Sequence, residues 1–255
     1  MEVLEKIARE AGEVLLDYRG KLKKVRSKSM ASDLVSEADL ESQRLIFERL
    51  LGFFQDVKVV GEESFKGEDI SKGKVFLVDP LDGSLNYVHG FPFYSVSIAF
   101  LENGEVLEGV VYLPEQGEMF HAVKGQGAYL NGVKILSNEG VKLQNALIVT
   151  GWPYDEEGIR WTYRAIEKVN NAVHEIRILG SCAAELAYLA AGRIEGYFEI
   201  GLKSWDIAAG YLIATEAGAV VSSLTCDGMD LLKGEVVAGV SSLHNDLLSL
   251  LREVK

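Results

Sequence analysis

Proline is scarce in this chain, with four residues in 255, and cysteine is scarcer, with two. Cys182 and Cys226 cannot build a disulfide framework and have no CxxC spacing. They fit a reduced, cytoplasmic setting. No apolar run is long enough to span a bilayer; the alanine-rich stretch from Ala183 to Ala191 is too short and carries Glu185. No long basic run offsets the net charge of −12, which argues against a nucleic-acid binder. That charge does not exclude a phosphorylated substrate, because bound metal ions reverse the local field. The N-terminus is amphipathic, with Glu2, Glu5, Lys6, Arg9 and Glu10, and lacks the apolar core of a signal peptide. Repeats, Pro-rich linkers and low-complexity tracts are also missing.

What is present is a chain with 48% apolar residues, enough for one large core or two intimately packed halves. The spacing of Val3, Leu4, Ile7, Ala8, Ala11, Val14 and Leu15 predicts a helix over 2–19. Residues 20–32 are basic and polar and read as a strand edge plus a mobile loop. A second helix is expected over 38–53, with Leu40, Ile46, Leu50 and Leu51 inward. Strands follow at 56–60, 74–79, 94–101, 106–112 and 117–124, with a hairpin signal at Asn103-Gly104 and another turn at Asn131-Gly132. The second half alternates: strands at 146–149, 174–178, 195–199, 219–222 and 235–239, and helices at 160–171, 182–191, 205–217 and 243–253. Helices and sheets come in blocks, which predicts layers rather than one doubly wound sheet. One unit over 1–255 is expected, with a soft internal boundary near 140–145.

The chemistry concentrates at Asp79-Pro80-Leu81-Asp82-Gly83-Ser84, which follows the apolar run Val75–Val78. Crowded carboxylates repel one another unless a cation neutralises them, and a hard divalent ion prefers such oxygen ligands. The Gly-Ser step offers N–H groups to an anion. Glu62 and Glu63 lie upstream, and Asp206 opens an alanine-rich helix far downstream, where an Asp is ordinarily an N-cap. In Asp33-Leu34-Val35-Ser36-Glu37-Ala38-Asp39, Ser36 and Asp39 have capping-box spacing. Asp33 is either a helix-start residue or the partner of a hydroxyl such as Ser84. Leu179-Gly180-Ser181-Cys182 is a small-residue turn whose N–H groups either receive a ligand or allow close packing. Cys182 has no histidine near it in sequence and reads as a small buried thiol.

Together, D-P-L-D-G-S-L-N at 79–86, G-E-E-S at 61–64, D-L-V-S-E-A-D at 33–39 and W-D-I-A-A-G at 205–210 resemble the inositol monophosphatase family. This family belongs to the Mg2+-dependent, lithium-sensitive phosphatases that include fructose-1,6-bisphosphatase. The resemblance implies an α+β fold, a layered α-β-α-β-α sandwich, usually as a homodimer. It implies two or three Mg2+ ions held by Glu62, Asp79, the Leu81 carbonyl, Asp82 and Asp206. It implies a phosphate cradle at Gly83 and Ser84, water activation through Asp33 and Ser84, and a catalytic part for Glu62. Substrate contacts would come from Asp82, Gly180, Ser181, Cys182, Glu199 and Asp206. The implied substrate is a small phosphorylated polyol, inositol 1- or 4-phosphate, or a sugar phosphate such as fructose 1,6-bisphosphate. For a second phosphate, Arg177, Arg193 and Lys203 are candidates. A non-catalytic metal- or phosphate-binding regulator is the reading from another class. Two departures stand out: Ser36 and Ser84 occupy places where Thr is usual, and Cys182 one where Ala is usual.

Overall fold

The computed structural model describes residues 2–22, 25–27, 34–226 and 228–254. Helix α1 (Glu2–Tyr18) buries Leu4, Ile7, Ala8, Ala11 and Leu15 along one stripe, as its apolar period dictates. Strand β1 (Val25–Ser27) pairs antiparallel with β2 (Leu34–Ser36). The strand edge expected within 20–32 is therefore present at 25–27, while residues 23, 24 and 28–32 of the expected mobile loop lie outside the described residues.

Helix α2 (Glu37–Phe53) begins at a capping box: the Ser36 hydroxyl accepts from Ala38 N–H, and Asp39 accepts from Ser36 N–H. Its inward face differs from expectation. Ile46 and Leu50 are buried, but Leu40 and Leu51 are 53% and 58% exposed. Ala38, Ser42, Ile46 and Leu50 form the inward row at four-residue spacing, and Leu40 and Leu51 fall off it. That row meets the acidic strand directly, with Ser42 Oγ donating to the Pro80 carbonyl at 2.9 Å.

The large sheet is formed by β3 (Lys58–Gly61), β4 (Lys74–Asp82), β5 (Ser95–Glu102), β6 (Glu105–Leu113), β7 (Glu118–Val123), β8 (Gly127–Leu130) and β9 (Val133–Ile135), in that order. Only β3 and β4 run parallel. Asn103-Gly104 turns β5 into β6 with φ values of 51° and 82°, the left-handed pair of a tight hairpin. Asn131-Gly132 does the same between β8 and β9, two short strands the sequence pattern did not single out. The helix α3 (Ser84–Val88) was likewise not anticipated.

The second half supplies β10 (Leu147–Thr150), α4 (Glu156–Asn170), β11 (Glu175–Ile178), α5 (Cys182–Ala190), β12 (Gly196–Ile200), α6 (Ser204–Glu216), β13 (Val220–Ser222), β14 (Glu235–Gly239) and α7 (His244–Arg252). Its strands form a mixed sheet in the order β11-β10-β12-β14-β13.

The layers run α1/α2, large sheet, α5/α6, small sheet, α4/α7, an α-β-α-β-α sandwich. Period-two alternation splits β4 between two cores. Phe76 and Val78 face α1 and α2, while Val75 and Leu77 face α5 and α6. The middle helices are apolar almost all round because sheets cover both sides; α6 buries Trp205, Ile207, Ala208, Ala209, Leu212, Ile213 and Ala214.

Candidate active site

Two features of the large sheet bring the first acids together. The parallel register pairs Gly61 with Val78, so Glu62 and Asp79, the next residues along, lie side by side. Strand β4 does not stop at Asp79, where a turn was expected. It bulges between Asp79 and Asp82 and re-pairs at Asp82 with Ser95. The bulge re-aims both carboxylates at the C-terminal edge of the strand. Gly83 follows with φ of 95°, and a Cβ there would lie 3.0 Å from the Gly180 carbonyl. Only glycine fits this crossing between the two halves.

Asp206 arrives from α6. It sits at the third helical position and accepts from Lys203 N–H at 2.7 Å, completing a capping-box-like start. Its ordinary capping function and its place in the site therefore coincide. A single cavity of about 560 Å3 is lined by Glu62, Asp79, Leu81, Asp82, Gly83, Ser84, Gly180, Ser181, Cys182, Glu199 and Asp206. Every site residue expected from the sequence is thus gathered there except Asp33, which lies outside the described residues.

The electrostatics of this cavity are severe. Asp79 is 2% exposed, and burial, then the charges of Glu62, Asp82 and Asp206, push its carboxyl well above the usual range. Burial and Glu62 do the same to Asp206. Asp82 is pushed up to about 6 by burial, although Ser181, Ala183 N–H and Ser95 donate to it and pull the other way. Those donors stand 2.6, 2.8 and 3.3 Å from Oδ2. Asp79 Oδ1 accepts from Leu81 N–H at 2.9 Å. Each of the three aspartates is anchored through one oxygen. The donor set is all oxygen and strongly anionic, which fits a hard divalent cation. Among the described residues, no three acid, His or Cys side chains are drawn tightly enough to define a coordination shell by themselves. What the fold provides is their convergence on one cavity.

The 179–182 segment departs from expectation. The N–H groups of Leu179 and Gly180 are not left for a ligand; both donate to Glu185 Oε1, at 3.0 and 2.9 Å. Ala183 N–H is committed to Asp82. Asn86 Nδ2 secures the segment from the other side, donating to the carbonyls of Leu179 and Phe93. Glu185 and Asn86 were missed as site-forming residues. The signal for Glu185 was its position as the one acid in an alanine-rich helix, where a buried carboxyl needs partners. Cys182 is buried, and desolvation raises its thiol well above the usual range, in keeping with a small buried thiol. Of the three candidate cations only Lys203 lines the cavity. Arg177 pairs with Glu175, and Arg193 makes a two-pronged bond to Glu118. An apolar rim of Leu85, Trp152, Tyr154, Tyr163 and Ile178 surrounds the mouth.

The two-sheet sandwich with a carboxylate-lined cavity at a strand bulge is the layered α+β fold shared with solved inositol monophosphatase structures. Residues 1–255 match the inositol monophosphatase family, and the chain belongs to it. The fructose-1,6-bisphosphatase/inositol-1-monophosphatase of Thermotoga maritima is 34% identical over 251 residues, 98% of this chain and 94% of that one. The Nus factor SuhB of Escherichia coli K12 is 33% identical over 255 residues, covering 99% and 96%. The crystal structure of extragenic suppressor protein suhB from Bartonella henselae superposes with a TM-score of 0.92 at 34% identity, covering 99% and 98%. Members of the family are phosphatases and are generally metal-dependent.

Proposed function

We propose that the protein hydrolyses a small phosphate monoester, inositol 1- or 4-phosphate, by direct attack of water with Mg2+ as cofactor. The observation that carries this reading is the convergence of Glu62, Asp79, Asp82 and Asp206, from three separate chain segments, on one cavity beside Gly83 and Ser84. Glu62, Asp79, the Leu81 carbonyl, Asp82 and Asp206 would hold the metal, with two to three ions per site. When bound, the ions neutralise the cluster and supply Lewis-acid polarisation of the phosphoryl and leaving oxygens. The N–H groups of Gly83 and Ser84 cradle the phosphate. The Ser84 hydroxyl, whose carboxylate partner among the described residues is Asp39 and not the Asp33 implied by the family resemblance, orients the attacking water. Glu62 flanks Asp79 on the attacking side. Asp82, Glu199, Asp206 and the 180–182 segment face the hydroxyls of the leaving group. No side-chain nucleophile takes part. The chain works as one unit, in the cytoplasm, as a homodimer.

A second substrate, fructose 1,6-bisphosphate, is favoured by Lys203, a cation at the cavity wall suited to a second phosphate. The name of the Thermotoga relative points the same way. Phosphate release from inositol 1-phosphate, fructose 1,6-bisphosphate and p-nitrophenyl phosphate, with and without Mg2+ and with Li+, decides between them. Lys203→Ala should weaken turnover of the bisphosphate alone. No release from any substrate would leave a non-catalytic binding role, in line with the name Nus factor of the E. coli relative.

A further inference from the structure

Glu199 enters the cavity from β12 with its carboxylate held on two sides. On one side the Tyr197 hydroxyl donates to Glu199 Oε2 at 2.5 Å. The Tyr197 side chain has no exposed surface, so no substrate reaches it. On the other side lies the bare backbone of Gly151, at the end of β10. A Cβ at Gly151 would stand 2.2 Å from Oε2 and 2.4 Å from Oε1, an impossible approach. Gly151 has no positive φ, so its missing side chain, not backbone freedom, is what the site uses. The single proton of the Tyr197 phenol is committed to Glu199.

We propose that Tyr197 and Gly151 are positioning residues that clamp the Glu199 carboxylate, so that one of its oxygens, Oε1, is presented to a hydroxyl on the leaving group of the substrate. This rests on the reading of the cavity as a polyol-phosphate site. A carboxylate free to rotate offers its acceptors over a wide arc; one committed through Oε2 presents the other in one direction. The clamp thus acts on recognition of the polyol and leaves phosphoryl transfer alone.

The test compares two substrates that differ in hydroxyls. Inositol 1-phosphate carries them beside the ester; the leaving group of p-nitrophenyl phosphate has none there. Tyr197→Phe keeps the ring and removes the donor. It should raise KM for inositol 1-phosphate about fivefold, the scale of one hydrogen bond, with kcat nearly unchanged. Kinetics with p-nitrophenyl phosphate should stay as in the parent protein. Gly151→Ala should show the same pattern more strongly, since its Cβ displaces the carboxylate outright. Glu199→Ala is the reference. If it raises KM for inositol 1-phosphate and Tyr197→Phe does not, the clamp is wrong while the site reading stands. Equal losses on both substrates in Tyr197→Phe would mean a purely structural tyrosine, which also overturns the proposal. If Glu199→Ala leaves inositol 1-phosphate kinetics untouched, the polyol-site reading itself falls, and the clamp with it.

Discussion

Ser84 Oγ stands 2.9 Å from Asp39 Oδ1. The hydroxyl is also 3.0 Å from the Leu81 carbonyl, so its single proton has two acceptors and its lone pairs can face a water. Asp39 is fully buried and simultaneously caps α2, accepting from Ser36 N–H and Ser36 Oγ. One carboxylate therefore ties the start of α2 to the serine that opens α3. Ser84→Ala should lower kcat about 100-fold, the scale of a lost proton-transfer or water-orienting group, with little change in KM. Ser84→Thr should keep activity. Steady-state kinetics on both variants checks this; full activity in Ser84→Ala would remove serine from the reaction. Asp39→Asn should lower kcat as well, and the double variant should lose less than the two single losses combined.

Asp82→Asn removes a charge from the proposed metal site and presents an amide to donors that now address a carboxylate. We expect kcat to fall at least ~100-fold, as when one preorganised electrostatic group is lost. The Mg2+ concentration for half-maximal activity should rise in the same variant. A Mg2+ titration of initial rates reads both quantities, and near-normal values of both would overturn the assignment of Asp82 as a ligand.

Stability should depend on pH and metal together. Asp79, Asp82, Asp206 and Glu199 all have folded-state pKa values raised above their ordinary ones, Asp82 to about 6 and Glu199 to about 7. A raised carboxyl stabilises the fold fully below its unfolded value and loses that contribution as pH climbs through the folded value. Chelated protein should therefore lose stability from about pH 4 to pH 7. The proposed Mg2+ would bind the ionised form and restore it, so the gap in Tm between Mg2+ and EDTA samples should widen across that range. Thermal unfolding at several pH values measures the gap, and a gap constant with pH would contradict the buried repulsion.

Glu185 should behave as a neutral acid. It has no exposed surface, and burial, then Glu199, hold its carboxyl well above the usual range. Glu185→Gln keeps an acceptor for the N–H groups of Leu179 and Gly180 and should alter stability little. Glu185→Ala strands both donors and should cost about 2–4 kcal/mol in urea unfolding. Equal losses in the two variants would mean that the ionised form is the one the loop needs.

The amino-acid sequence determined the element types, because apolar period and turn chemistry are local. The 3.6-residue stripe of α1, the Asn-Gly hairpin and the Ser36–Asp39 capping box all appear as the pattern reads. It also singled out Glu62, Asp79, Asp82 and Asp206 in recognisable segments, and the fold brings all four to one cavity. Tertiary structure decided the rest. The inward face of α2 follows contact with the acidic strand, not hydrophobicity, which is why Leu40 and Leu51 point outward. Asp79–Asp82 forms a bulge rather than a turn, because β5 continues to pair with it. The N–H groups of Leu179 and Gly180 go to Glu185, a partner no local pattern announces. Tyr197 and Glu199 lie two residues apart on one face of β12, but whether Gly151 meets Glu199 depends on the side-by-side placement of β10 and β12, whose residues lie some fifty positions apart in the chain. Local spacing fixes what a segment becomes; only the packing of distant segments fixes which polar atom meets which.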